Sequence, residues 1–290
     1  MPIPYFIDKE INILTGQKAI EALREENDVQ YLSKDKGVVK VTAERWKKAQ
    51  ECERNHWLKK GIKTANDRND YHYKQFDGYK QIKNKTFRSL LEIGCGPFTN
   101  SRMIAGLCTV GKCTLLDPLI HEYLNHPFCY YTDDYLFSEY VPWLGKVTRK
   151  LFPVFFRLYL NIFSRKTKIG ELFNCTGETI PVKEQYDLVV MINVIEHCYD
   201  VELLFHNILT IVPPGGYFIF EDKYYDHQRV LSTLKNGYDA AHPLKVDRNV
   251  IDQFLSANFE VVYKRIQTNT MVFEGENILW EDVYYIGKRI

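Results

Sequence analysis

The chain has 290 residues, 45% of them apolar and 26% charged, an ordinary globular composition with room for one large domain and additions. Its net charge of +1 gives no bulk electrostatic case for nucleic acid, and no run of about 18 clean apolar residues predicts a transmembrane span. Seven cysteines form no C-x-x-C pair and read as buried, reduced thiols of a cytoplasmic protein; the start, MPIPYFIDKEINIL, has no apolar run of signal length.

Residues 1–40 offer only strand-like fragments, Ile3 to Leu14 and Gly37 to Val41. Thr42 suits the N-cap of AERWKKAQECERNHWLKK, in which Trp46, Ala49, Glu53 and Trp57 recur at helical spacing. That predicts a surface helix docked by two tryptophans. Residues 66–80 are polar and rich in tyrosine, too polar for a core strand, and read as a lid or substrate-facing segment.

Ser89 to Ile93, SLLEI, predicts a buried parallel strand. Gly94-Cys95-Gly96-Pro97 turns the chain sharply, and a helix can restart from Phe98. A strand, a glycine turn and a helix suit a nucleotide-like ligand. The third glycine of the dinucleotide fingerprint is absent, with Thr99 in its place, which disfavours a dehydrogenase. Cys113 to Pro118, CTLLDP, predicts a second buried strand ending in Asp117, twenty-one residues after Gly96. An acid there can hold the two hydroxyls of a ribose; the plain alternative is a strand-end turn acid.

Residues 146–168 carry seven bases and no acid, which leaves the rest of the chain at about −6 out of the +1 total. Read as one helix, Lys150, Arg157, Asn161, Ser164 and Lys168 share a polar stripe. Phe152, Phe155, Phe156, Tyr159, Ile162 and Phe163 take the remaining face. This segment reads as an in-plane helix at the inner face of a membrane, as a cap over a substrate cavity, or as a self-association surface. Beyond it, Leu172 to Glu178 and Tyr186 to Ile192 read as strands. Asp200 can cap the helix VELLFHNILTIV, which ends at Pro213-Pro214-Gly215-Gly216. A strand from Tyr217 to Phe220 ends in Glu221-Asp222. A helix near Asp247 to Ala257 and strands Phe259 to Ile266 and Val283 to Gly287, joined by a long connection, close the chain. Alternating strands and helices imply an open, mostly parallel α/β sheet with an antiparallel pair at one edge.

Taken together, these segments resemble the class I S-adenosylmethionine-dependent methyltransferases over roughly Ser89 to Lys288. Glu92-x-Gly94-x-Gly96 is similar to the family's first motif, Asp117 to its ribose acid, and Thr176-Gly177-Glu178 to its segment beside the adenine. Tyr186 to His197, with Asn193, Glu196 and His197, resembles its fourth strand and following turn. Pro213 to Gly216 resembles the turn before its fifth. The resemblance implies a Rossmann-like sheet of seven strands, the last antiparallel, and S-adenosyl-L-methionine as cofactor. Its expected cofactor-binding residues are Glu92, Gly94, Cys95, Gly96, Asp117, Gly177, Glu178 and Asn193. Backbone N–H groups of Gly94 to Gly96 are expected to face the methionine carboxylate, Glu92 to support the loop or face the amino group, and Glu178 or the backbone near Gly177 to accept from the adenine amine.

The expected division is an N-terminal extension or lid over 1–88 and a methyltransferase domain over 89–290, with an insertion at about 122–170. The helix ERWKKAQECERNHW resembles regions that precede methyltransferase domains of bacterial surface-polysaccharide clusters. That implies methyl transfer to an oxygen of a small molecule or glycan precursor, with no nucleic-acid partner. A hydroxyl acceptor benefits from a base, for which His197, His227 and His242 are candidates. Glu221 and Asp222 could bind an acceptor hydroxyl or, with Asn193, a divalent metal, although no metal centre is expected. The rivals are a binding module without turnover and an enzyme acting on a phosphate-type or lipid-linked acceptor.

Overall fold

A computed structural model of the chain describes residues 30–32, 41–61, 68–139, 141–225, 241–273 and 276–290. The fragments expected at Ile3 to Leu14 and at Gly37 to Lys40 lie outside these residues, as does His227. After β1 (Gln30–Leu32), α1 (Ala43–Asn55) starts at Thr42, whose hydroxyl accepts the Arg45 N–H at 3.2 Å. A π-turn, α2 (Arg68–Gln75) and a 3-10 turn at Asp77–Ile82 lead to β2 (Thr86–Ile93). Next come α3 (Ser101–Leu107), β3 (Thr109–Leu116), α4 (Ile120–Tyr123) and β4 (Tyr135–Glu139). The helices α5 (Pro142–Leu151) and α6 (Phe156–Phe163) precede β5 (Ser164–Phe173). The rest is β6 (Leu188–Ile192), α7 (Val201–Ile211), β7 (Tyr217–Tyr224), β8 (Leu244–Val246), α8 (Arg248–Asn258), β9 (Phe259–Phe273) and β10 (Glu276–Arg289).

Eight strands make one sheet in the order β4-β5-β3-β2-β6-β7-β10-β9, and β1 pairs with β8 apart from it. From β5 to β7 the pairings are parallel; β10 runs antiparallel to β7 and β9 antiparallel to β10. The seven strands of the expected fold are therefore present, and β4, antiparallel to β5, adds an eighth from the insertion. Every residue of β6, LVVMI, is buried, as a strand covered on both faces should be. The period-2 alternation divides the core between the faces. Leu91, Ile93, Val189 and Met191 pack with α7 on one face, while Leu90, Val190 and Ile192 face α3 and the Phe76–Tyr79 aromatics on the other.

Three expectations need correcting. The segment 146–168 is not one helix. Pro153 disfavours helical geometry at the residue before it, and Phe152 sits at φ −136, ψ 60, so α5 stops and α6 starts afresh. Ser164 and Lys168 then belong to β5, which breaks the proposed stripe. The third strand lies earlier than Leu172 to Glu178. Its first half is solvent-exposed on alternate sides and carries Arg165, Lys166 and Lys168, so its composition hides it. Residues 267–273 and 276–282, expected as a long connection, are strand. Past the Glu281–Tyr224 pairing, β10 pairs among the described residues with β9 alone, so both strands run beyond the sheet as a two-stranded ribbon.

Candidate functional site

A cleft enclosing about 950 Å³, its open mouth included, lies over the C-terminal ends of β2, β3 and β6. Its floor is Ile93 to Phe98, Leu116 to Leu119, Thr176 to Glu178 and Ile192 to Val194. Its roof is α1, through Trp46, Gln50 and Glu53, with Trp57 just beyond it. The expected docking by two tryptophans is what fixes this roof. Trp46 donates its Nε1–H to the His197 carbonyl at 3.0 Å and meets the Tyr199 ring at 5.6 Å. Trp57 donates to Glu53 Oε2 at 3.0 Å and packs on Phe98. From the polar segment expected as a lid, His72 reaches the cleft, while Phe76 and Tyr79 stack in the core.

The glycine turn needs its glycines. Gly94 (φ +69) and Gly96 (φ +54) lie in the left-handed region, and a Cβ on Gly94 would stand 2.5 Å from Val194 Cγ2. The expected cradle of N–H groups is not formed, however. Gly94 and Cys95 donate to the Leu116 carbonyl at 2.8 and 3.1 Å, and Gly96 donates to Asp117 Oδ2 at 3.1 Å. The turn is tied to the end of β3. Glu92 is fully buried beneath it. The carboxylate accepts from Asn100 N at 2.8 Å, Ser101 N at 2.8 Å, Ser101 Oγ at 2.6 Å and the Thr99 hydroxyl. Of its two expected roles it takes the first, holding the loop and the start of α3, and it does not line the cleft.

Asp117 stands at the end of β3 with its carboxylate in the cleft wall. Oδ1 accepts the Leu119 N–H at 2.9 Å and Oδ2 the Gly96 N–H. An ionised carboxylate offers about four lone-pair directions, so two remain for a pair of hydroxyls. Burial pushes its pKa up to about 6, with the Glu53 charge adding to the rise and the backbone donors and His197 opposing it. Glu178 is buried in the wall beyond β5, with Oε1 accepting from Tyr199 N at 2.7 Å and Asp200 N at 3.2 Å. The Gly177 and Glu178 carbonyls both accept from Asn207 Nδ2. Asn193 follows β6 at φ +56, a conformation asparagine tolerates better than most residues, and lines the cleft.

Beside the cleft, His197 and His242 place their rings 4.7 Å apart. His197 Nδ1 lies 3.2 Å from the Ala241 carbonyl, which can only accept; Nδ1 must carry a proton, and a neutral ring then bears its lone pair on Nε2. His197 lines the cleft and His242 stands behind it. Ligand atoms of Glu53, His197 and His242 all lie within 4.8 Å of one another, a donor set that suits a divalent cation as well as proton transfer. The expected metal grouping of Glu221, Asp222 and Asn193 fares worse. Asp222 Oδ2 accepts the N–H groups of Val194 and Ile195 at 2.9 and 2.8 Å, so Asp222 anchors the turn after β6. Glu221 is buried with Oε2 3.4 Å from His72 Nδ1. Deeper still, Glu196 meets Lys223, the fully buried Lys245 and, at 2.6 Å, the Tyr225 hydroxyl. Burial alone would raise its pKa, but the two ammonium groups and His242 hold it well below the usual carboxylate range.

Composition gave no sign of Gln50 or His72 as site residues. Glu53 and the tryptophans carried one in their shared helical spacing.

A family model described as a methyltransferase domain matches residues 68–264. Among solved structures, a chain of the complex between the Haloferax volcanii Trm112 methyltransferase activator and a methyltransferase matches at 13% identity and TM-score 0.50, covering 81% of this chain and 96% of that one. The N-methyltransferase NodS of Bradyrhizobium japonicum WM9, in complex with S-adenosyl-L-homocysteine, matches at 15% identity and TM-score 0.47, covering 83% and 98%. The YcgJ protein of Bacillus subtilis matches at 12% identity and TM-score 0.48, covering 75% and 98%. No curated protein matches the chain in sequence.

Proposed function

The chain belongs to the methyltransferase-domain family, and on that premise we propose that it transfers the methyl group of S-adenosyl-L-methionine to an oxygen of a small molecule or glycan precursor in surface-polysaccharide synthesis. The single observation that carries the donor half is Asp117, two lone pairs still open, at the strand end beside the glycine turn. The ribose hydroxyls donate to Asp117; the adenine lies against Gly177 and Glu178; the methionine end passes over Gly94 to Gly96 toward Asn193. A cytoplasmic setting fits the cysteines, which carry no disulfide. Within the N-terminal extension, α1 acts as the lid.

Methyl transfer from a sulfonium is an in-line displacement, so positioning does most of the work. A lone pair on the acceptor oxygen attacks the methyl carbon. The carbon–sulfur bond breaks, its electron pair stays on sulfur, and the acceptor's proton must leave. Nε2 of His197 is the base best placed to take it, with His242 and Glu53 as positioning residues. A true base should lose about 10²–10⁴ in rate on replacement. The test is release of S-adenosylhomocysteine with panels of sugar hydroxyl, phosphate and lipid-linked acceptors, for wild type, His197→Ala and His242→Ala. Turnover with hydroxyl acceptors that collapses in His197→Ala at unchanged donor affinity supports the reading. Donor binding with no turnover on any panel favours the non-catalytic module. Turnover lost to a chelator and restored by a divalent cation assigns Glu53, His197 and His242 to a metal instead.

A further inference from the structure

Nine of the fifteen large apolar side chains exposed among the described residues fall within 143–163, so this hairpin of α5 and α6 is where the protein shows its apolar surface. Trp143 (68% exposed), Val147 and Leu151 (60%) recur every fourth residue along one face of α5. Val154 (87%) stands at the tip, and Leu158 and Ile162 (61%) continue the surface on α6. The opposite face of α6 is apolar too: Phe156, Tyr159 and Leu160 are buried against Phe98, Phe128 and Tyr130. A helix apolar on both faces calls for an apolar environment on both. One side has the protein core, and the other has solvent.

The charges around this surface name its occupant. Lys146 and Lys150 lie on α5 beside the apolar face by helical spacing, and Lys166 and Lys168 are exposed on the adjoining β5. The segment 142–168 holds no acid. Two copies of this face would bring like charges together, which opposes self-association. We propose that the α5–α6 hairpin docks the protein in the plane of an anionic lipid surface, with the apolar tip among the acyl chains and the bases at the headgroups. No helix among the described residues is long and apolar enough to cross a membrane, so the contact is one of lying on the surface. Because Phe156 is core, the residues that test the contact are the exposed ones.

Co-sedimentation with neutral phosphatidylcholine vesicles and with vesicles containing about 30% phosphatidylglycerol decides it. Binding is expected to the anionic vesicles only, at least tenfold weaker in about 0.5 M sodium chloride. Leu158→Asp/Ile162→Asp should abolish it while leaving S-adenosylhomocysteine binding and the thermal midpoint as in wild type. The tryptophan emission should shift to the blue with vesicles, and that shift should vanish in Trp143→Phe. Absence of vesicle binding at low salt overturns the proposal. So does a concentration-dependent dimer, dispersed by the same double substitution, that forms in place of vesicle binding. Since none of these readouts involves turnover, their failure leaves the methyl-transfer reading intact.

Discussion

Over β2 and β3, two buried carboxylates take their donors from one contiguous stretch, residues 96–119, whereas over β6 and β7 one is held by side chains 27 to 49 positions along the chain. Glu92 takes its donors from residues 99–101, seven to nine positions on, and Asp117 takes backbone N–H groups of Gly96 and Leu119. Glu196 instead depends on Lys223, Tyr225 and Lys245, the last 49 positions away. The first arrangement needs β2, the glycine turn, α3 and the end of β3, one contiguous stretch of chain. The second is complete only when β8, which carries Lys245, has docked.

If that division is right, the largest effect of a single change is in the donor half. Glu92→Ala leaves several buried donors unpaired at about 1–3 kcal/mol each and should cost about 3–5 kcal/mol of stability by denaturant titration. Donor affinity should fall with it, because the turn above loses its support. Lys245→Met breaks one arm of a buried ion cluster and should cost about 3 kcal/mol. Donor affinity should then hold within about threefold, under 1 kcal/mol. Equal loss of affinity in both variants would erase the distinction between the halves.

The same division explains what could be read from residues alone. The caps Thr42 and Asp200 act within three residues of themselves and Glu92 within nine, and Asp117 is legible as an acid at a strand end although one of its donors, Gly96, lies 21 positions back. Local pattern suffices for such features. The Glu53, His197 and His242 grouping joins three segments, and nothing local in any of them announces the others. The bonding of the glycine turn is likewise not local: the Leu116 carbonyl that takes two of its N–H groups comes from a neighbouring strand. The outer ribbon of β9 and β10 is hard to read locally because its apolar residues fall in consecutive runs, Met271 to Phe273 and Ile278 to Trp280, and not in the period-2 alternation of a one-sided strand.

A smaller effect sharpens the electrostatic side of the account. In the ligand-free site Asp117 is raised to about 6 by burial, and hydroxyl donors favour its ionised form. Below that pKa the carboxyl carries a proton that binding must expel. S-adenosylhomocysteine affinity should therefore be flat above pH 7 and weaken by up to about tenfold per unit below pH 6, which titrations across pH 5–8 can follow. Asp117→Asn should flatten this dependence. Smaller again, Trp46→Phe removes the bond to the His197 carbonyl and should weaken donor binding several-fold, about 1 kcal/mol, by loosening the roof.

The central claim is that this cleft holds S-adenosyl-L-methionine through Asp117, and calorimetric titration of S-adenosylhomocysteine into wild type and Asp117→Ala tests it most directly. The account predicts one site per chain and an affinity about ten- to a hundred-fold weaker in the variant, the loss of roughly 1.5–3 kcal/mol of hydrogen bonding to a charged group. No binding by the wild type, or equal affinity in a variant whose unfolding transition matches wild type, would contradict it.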